Sequence, residues 1–103
     1  MNNQQEKTLL SRERVGSLKK LAHHLRPVVQ IGKNGVSEAL LLEIEGALLA
    51  HELIKLQILP NQKKCGAAYL PEVLHKTKSH YINAIGNVAI IFRQREVNSQ
   101  YNF

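Results

Sequence analysis

At 103 residues, 44% hydrophobic and 21% charged, the chain has the size and composition of one soluble globular domain, and a second is not expected. Fourteen Lys and Arg against eight acids leave a net charge of +6, which makes a polyanion the natural partner. The acids are all Glu and lie scattered, so no carboxylate pair suggests acid/base chemistry; the single cysteine, Cys65, excludes an internal disulfide; and no apolar run approaches the roughly 20 residues of a membrane span.

In chain order, residues 1–8 are polar and aperiodic, lack the hydrophobic core of a signal peptide, and are expected to be a disordered tail on a cytoplasmic protein. The domain is expected to span 9–95, and 96–103 to form a second loose tail. Over 11–26, Val15, Leu18, Leu21, Ala22 and Leu25 recur at helical spacing, with Ser11 as the cap and Pro27 as the stop. Val28, Val29, Gln30 and Ile31 form a short β-branched run between Pro27 and Gly32, a strand expected to be buried largely on both faces. Ser37 caps a second helix with an inward stripe of Leu40, Ile44, Ala47, Leu48 and His51 or neighbouring Leu residues, while Glu38, Glu45 and Glu52 fall seven apart on its outer side. Residues 53–59 alternate apolar with polar after Ile54 and read as a strand, ended by Pro60 and Asn61. Ala67, Ala68, Leu70, Val73 and Leu74 look helical, but Pro71 suits a first helical position, so the regular helix is expected to start there. Strands over 81–85 and 88–93 flank Gly86 and Asn87, which suit a tight hairpin turn.

The order α-β-α-β-α-β-β places the chain in the α/β class. Two strand-helix-strand units imply right-handed crossovers and parallel pairing, and the hairpin adds an antiparallel strand. A four-stranded mixed sheet in a two-layer sandwich is expected, since helices on both faces would leave little chain to cover them.

Gly32-Lys33-Asn34-Gly35 joins the first strand to the second helix. Glycines there free the backbone to approach a ligand, the helix N-terminus offers N–H donors, Lys33 adds charge, and Asn34 can bond a sugar or base edge. A lone G-x-x-G is also simply a strand-to-helix turn. On a wheel of 100° per residue with Leu18 at zero, Arg12, Lys19, His23 and Arg26 fall between about 80° and 140°, a basic ridge, with Lys20 and His24 farther round. From Arg12 to Lys33 there are six Lys or Arg and one acid; from Asn34 to Leu53 there are four Glu and no Lys or Arg. This segregation favours nucleic-acid contact over a merely solvated face. KH domains clamp a nucleic-acid backbone with a G-x-x-G loop, though between two helices, so the likeness is of mechanism.

Catalysis would fall to Cys65 or to His23, His24, His51, His75 and His80. No H-x-x-x-H or C-x-x-C pair is present, so the chain reads as a non-enzyme without cofactor or metal. Cys65 has Lys63 and Lys64 nearby to lower its pKa but reads as an inert thiol, His51 as a helix-end residue, and His75 and His80 as surface residues. The alternative to nucleic-acid binding is a module whose acidic second helix, with Glu38, Glu43, Glu45 and Glu52, docks a basic protein such as a ribosomal one.

The run from Leu18 to Glu38, LKKLAHHLRPVVQIGKNGVSE, strongly resembles the CRM domain in its short bacterial YhbY form. The likeness continues through Glu43-Ile44-Glu45, Ala47-Leu48, His51-Glu52-Leu53-Ile54-Lys55 and, more weakly, Ile85-Gly86 and Ile90-Ile91-Phe92-Arg93. It implies a fold similar to the C-terminal domain of translation initiation factor three, RNA binding, and association of a stand-alone bacterial copy with precursor large ribosomal subunits. The family's loop maps onto Gly32, Lys33, Asn34 and Gly35, and its basic helix onto Lys19, Lys20, His23 and Arg26. Pro71 and Asn87 depart from the family pattern, which puts RNA contact from the last hairpin in doubt. Gly35→Asp and Lys33→Glu are both expected to leave the fold intact and weaken RNA binding. Few aromatic residues are present, two Phe, three Tyr and no Trp, so backbone and shape recognition is expected over base reading.

Overall fold

The computed structural model describes residues 10–32, 35–59 and 65–101, and of residues 65–68 the backbone alone. Three helices and four strands follow in the expected order: α1 (Arg12–Ala22), β1 (Pro27–Ile31), α2 (Glu38–His51), β2 (Leu53–Ile58), α3 (Cys65–Thr77), β3 (His80–Ile85) and β4 (Val88–Phe92). Ser11 and Ser37 cap α1 and α2, their hydroxyls accepting from the backbone N–H groups of Arg14 and Leu40 at 3.1 Å. Gly86, at φ +59, opens the two-residue turn of the β3–β4 hairpin, across which Ile85 pairs with Val88.

The strands lie in the order β1-β2-β4-β3. β1 and β2 pair in parallel, as a strand-helix-strand unit requires. β2 and β3 also run parallel but do not touch, because β4 returns between them, antiparallel to both.

The sheet is covered on both faces, and here the expected two-layer sandwich is corrected to three layers. On one face Val29, Ile31, Ile54, Leu56 and Ile91 meet Leu40, Ile44 and Leu48 of α2 and Val73 of α3. On the other, Leu53, Ile82, Ile90 and Phe92 meet Leu18 and Ala22 of α1. The central strands β2 and β4 carry apolar residues on both sides, and such strands demand cover on both. β1, at the sheet edge, buries only Val29 and Ile31 while Val28 and Gln30 are exposed, so it is one-sided and not buried on both faces.

Three further expectations change. α1 stops at Ala22, four residues before Arg26, and the chain leaves through a tightened turn in which the N–H groups of His23, His24 and Leu25 bond the carbonyls three residues back. α3 begins at Cys65 with Pro71 inside it, so Pro71 is not its first residue. Proline there deprives the Ala67 carbonyl of its usual donor, and packing of Tyr69, Leu70, Val73 and Leu74 on the core holds the helix across the break.

Residues 96–101, expected to be loose, are fastened to Glu52. The helix ends at His51, and Glu52 takes φ +67, which turns its side chain inward to complete burial. Its carboxylate accepts from the backbone N–H of Arg95 and of Gln100, both at 2.7 Å, and from the Ser99 hydroxyl at 2.6 Å. Burial opposes ionisation of this group, yet these donors and the Arg95 charge outweigh it and hold its carboxyl below the usual range. Tyr101 follows, its ring edge-on to Phe92 with centroids 5.1 Å apart. Glu52 therefore does not belong to the outer acidic stripe.

Candidate nucleic-acid interface

The geometry of α1 follows from its buried side. Leu18 and Ala22 are fully buried with Val15 packed beside them, and the remaining faces point to solvent. Arg12, Lys19 and Lys20 are exposed on the helix, and His23, His24 and Arg26 are exposed in the exit. Because the helix ends at Ala22 and its exit tightens, Arg26 leaves the wheel position assigned to it, and the ridge is not one helical stripe. It is a helix face continued by a tightened turn and the chain that follows it.

The cations differ in how far the protein engages them. Arg93 grips Glu45 with both guanidinium nitrogens, at 2.9 and 2.7 Å, and donates to the Thr77 carbonyl at 2.8 Å, tying α2 to the end of α3. Its charge and hydrogen bonds hold the Glu45 carboxyl below the usual range. Arg95 donates to the carbonyls of Leu49 and Asn98, Lys76 pairs with Glu72, and Lys55 donates to the Leu25 carbonyl at 3.0 Å. By contrast, the side chains of Arg12, Lys19, Lys20 and Arg26, and of His23 and His24, make no hydrogen bond or ion pair with any described residue.

Of the loop, Gly32 and Gly35 are described, and Lys33 and Asn34 lie outside the described residues. The Gly35 N–H donates to the Gly32 carbonyl at 3.0 Å and closes a turn. Gly35 sits at φ +64, buried against α3, where a Cβ would come within 2.6 Å of the Tyr69 ring. Gly35 is thus required by the turn and by packing, and the expectation that Gly35→Asp leaves the fold intact is corrected. Beside the loop lies an open depression of about 250 Å³, lined by Gln30, Gly32, Gly35, Ser37 and Glu43 among others. The loop and the exit of α1 stand at opposite ends of β1, roughly 15 Å apart at about 3.3 Å per strand residue.

The acidic stripe is thinner than its sequence suggests: Glu52 is buried, Glu45 is paired, and Glu38 and Glu43 remain exposed. Ala47 of the expected inward stripe packs on the core, while His51 is exposed. His75 is exposed; His80 is half-buried, and burial pushes its pKa down. Among the described residues no three His, Cys or Glu side chains come together as a metal site, and no helix is long and apolar enough to cross a membrane. Sequence reasoning missed Lys55, which fixes the exit of α1; the alternation Ile54-Lys55-Leu56 was the available signal, setting Lys55 opposite the α2 face.

These features define a basic α/β domain with a cation-bearing helix on one side of its sheet. The CRS1 / YhbY (CRM) domain matches residues 10–93, and the chain belongs to that family. An RNA-binding protein of Haemophilus influenzae is 38% identical over 89 residues, covering 86% of this chain and 90% of the relative. The probable RNA-binding protein YqeI of Bacillus subtilis is 32% identical over 83 residues, covering 81% and 86%. The solution structure of the Staphylococcus aureus protein SAV1595 is 29% identical and superposes with a TM-score of 0.75, over 91% of this chain and 98% of that one.

Proposed function

We propose that this protein binds RNA through Arg12, Lys19, Lys20, His23 and Arg26, with the Gly32–Lys33–Asn34–Gly35 loop as a second contact, and that it serves assembly of the large ribosomal subunit in the cytoplasm. One observation carries the binding claim: Arg12, Lys19, Lys20 and Arg26 are exposed and uncommitted among the described residues, whereas Lys55, Lys76, Arg93 and Arg95 are tied to the protein. Exposed Lys and Arg that meet phosphates release counterions, which supplies affinity without sequence reading. An RNA touching both contacts runs along the β1 edge, past Val28 and Gln30. The large-subunit assignment follows from the resemblance to stand-alone bacterial CRM proteins.

The test is sedimentation of cell extracts on sucrose gradients. The protein should travel with precursor large subunits, be released by nuclease, and be lost from them in Lys19→Ala/Lys20→Ala. Persistence on the particles after nuclease, without sensitivity to salt, would favour docking to a basic protein through α2 instead, a reading weakened by the engagement of Glu45 and Glu52.

A further inference from the structure

Beyond the phosphate contacts, a cleft of about 310 Å³ opens where the exit of α1 passes the end of α2. Its polar lining is His24, Arg26, His51 and Gln100, its apolar lining includes Leu25, Val28 and Tyr101, and none of its lining residues is acidic. Such a volume lies at the small end of ligand sites, about 300 to 1,000 Å³. Leu25 and Val28 are 36% and 46% exposed, so apolar surface stands open beside positive charge.

The walls are fixed in place. Lys55 Nζ holds the Leu25 carbonyl at 3.0 Å on one side. On the other, Gln100 Nε2 donates to the His51 carbonyl at 2.9 Å, and the Glu52 carboxylate anchors Ser99 and Gln100. A buried carboxylate on a residue held at φ +67 is a strained arrangement, and its effect here is to seat the chain that forms this wall.

We infer that the cleft receives the base of one unpaired nucleotide of the bound RNA. The inference rests on the RNA-binding reading and deepens it. An unstacked base offers a flat apolar face to histidine, tyrosine or an arginine plane, and its phosphate needs a cation at the rim, where Arg26 joins the cleft to the proposed backbone contacts. A fully paired helix has no base to place there, so the cleft distinguishes bulged or looped RNA from duplex.

The experiment measures fluorescence anisotropy of the full chain with two RNA hairpins, one fully paired and one carrying a single bulged 4-thiouridine. The protein should bind the bulged hairpin about tenfold more tightly, the size of one base-stacking contact. His51→Ala should abolish that preference and leave affinity for the paired hairpin unchanged. Irradiation should join the bulged base to peptides holding His51 or Tyr101. Equal affinity of the unaltered protein for both hairpins, or crosslinks confined to 12–20, would overturn the cleft assignment while leaving RNA binding intact. Failure to bind either hairpin would overturn the RNA reading and the cleft with it.

Discussion

Gly35 is held at φ +64 with the Tyr69 ring where a side chain would begin, so two independent terms penalise any replacement. Gly35→Ala should destabilise the fold by about 2 kcal/mol or more, a fall in Tm of roughly 10 °C by calorimetry, and the loss should shrink in a Tyr69→Ala background. Lys33→Glu is then the informative change in the loop, because it alters charge without altering the glycines. Glu52 makes the second residue-scale prediction. Its folded pKa lies below the ordinary value of 4.5, so its stabilisation is complete above that value and is lost as pH falls through the lowered one. Glu52→Gln should cost about 1.5–3 kcal/mol in urea unfolding at pH 7, and the gap between the two proteins should close as the solution is acidified below pH 4.5. A gap independent of pH would mean that ionisation of this carboxyl does not carry the effect.

At the scale of elements, Pro71 separates two accounts of α3. If the helix runs from Cys65 through Pro71, restoring an N–H with Pro71→Ala should stabilise the protein by about 2 kcal/mol; if the helix began at Pro71, the change would be nearly neutral or slightly destabilising. Denaturant midpoints of the two proteins decide it. The same comparison shows what local pattern can and cannot carry. The hairpin was legible because Gly86 and Asn87 are a local signal, and the stripe Leu40, Ile44 and Leu48 because helical period and burial coincide. The end of α1 was not, since Pro27 marks only the farthest point a helix can reach, and no glycine announces the turn at His23. Glu52 was misplaced because a seven-residue period assumes that the helix continues, whereas it stops one residue earlier and reverses the side chain. The ion pair of Arg93 with Glu45 spans 48 residues and leaves no local mark. Of the site, the exposed residues of α1 could be read directly, but their freedom could not, because that depends on which cations elsewhere are occupied.

For the whole molecule, the segregation of charge along the chain becomes a segregation between faces: α1 with its cations covers one side of the sheet, and α2 with Glu38 and Glu43 the other. This separates roles that composition merges. Lys19→Ala/Lys20→Ala should lower the slope of log affinity against log salt by about 0.7–0.9 per lost contact, with little change in unfolding. Arg93→Met should do the reverse, weakening the fold and leaving the salt slope alone. The position of β4 carries a different consequence. The last strand to be made is an inner one, so a chain emerging from the ribosome holds β1 and β2 apart from β3 until residue 92 is free, and the Glu52 anchor closes only after residue 100. Folding during synthesis is thereby deferred until β4 has emerged, and a chain truncated before Val88 leaves the β1–β2 pair unjoined to β3.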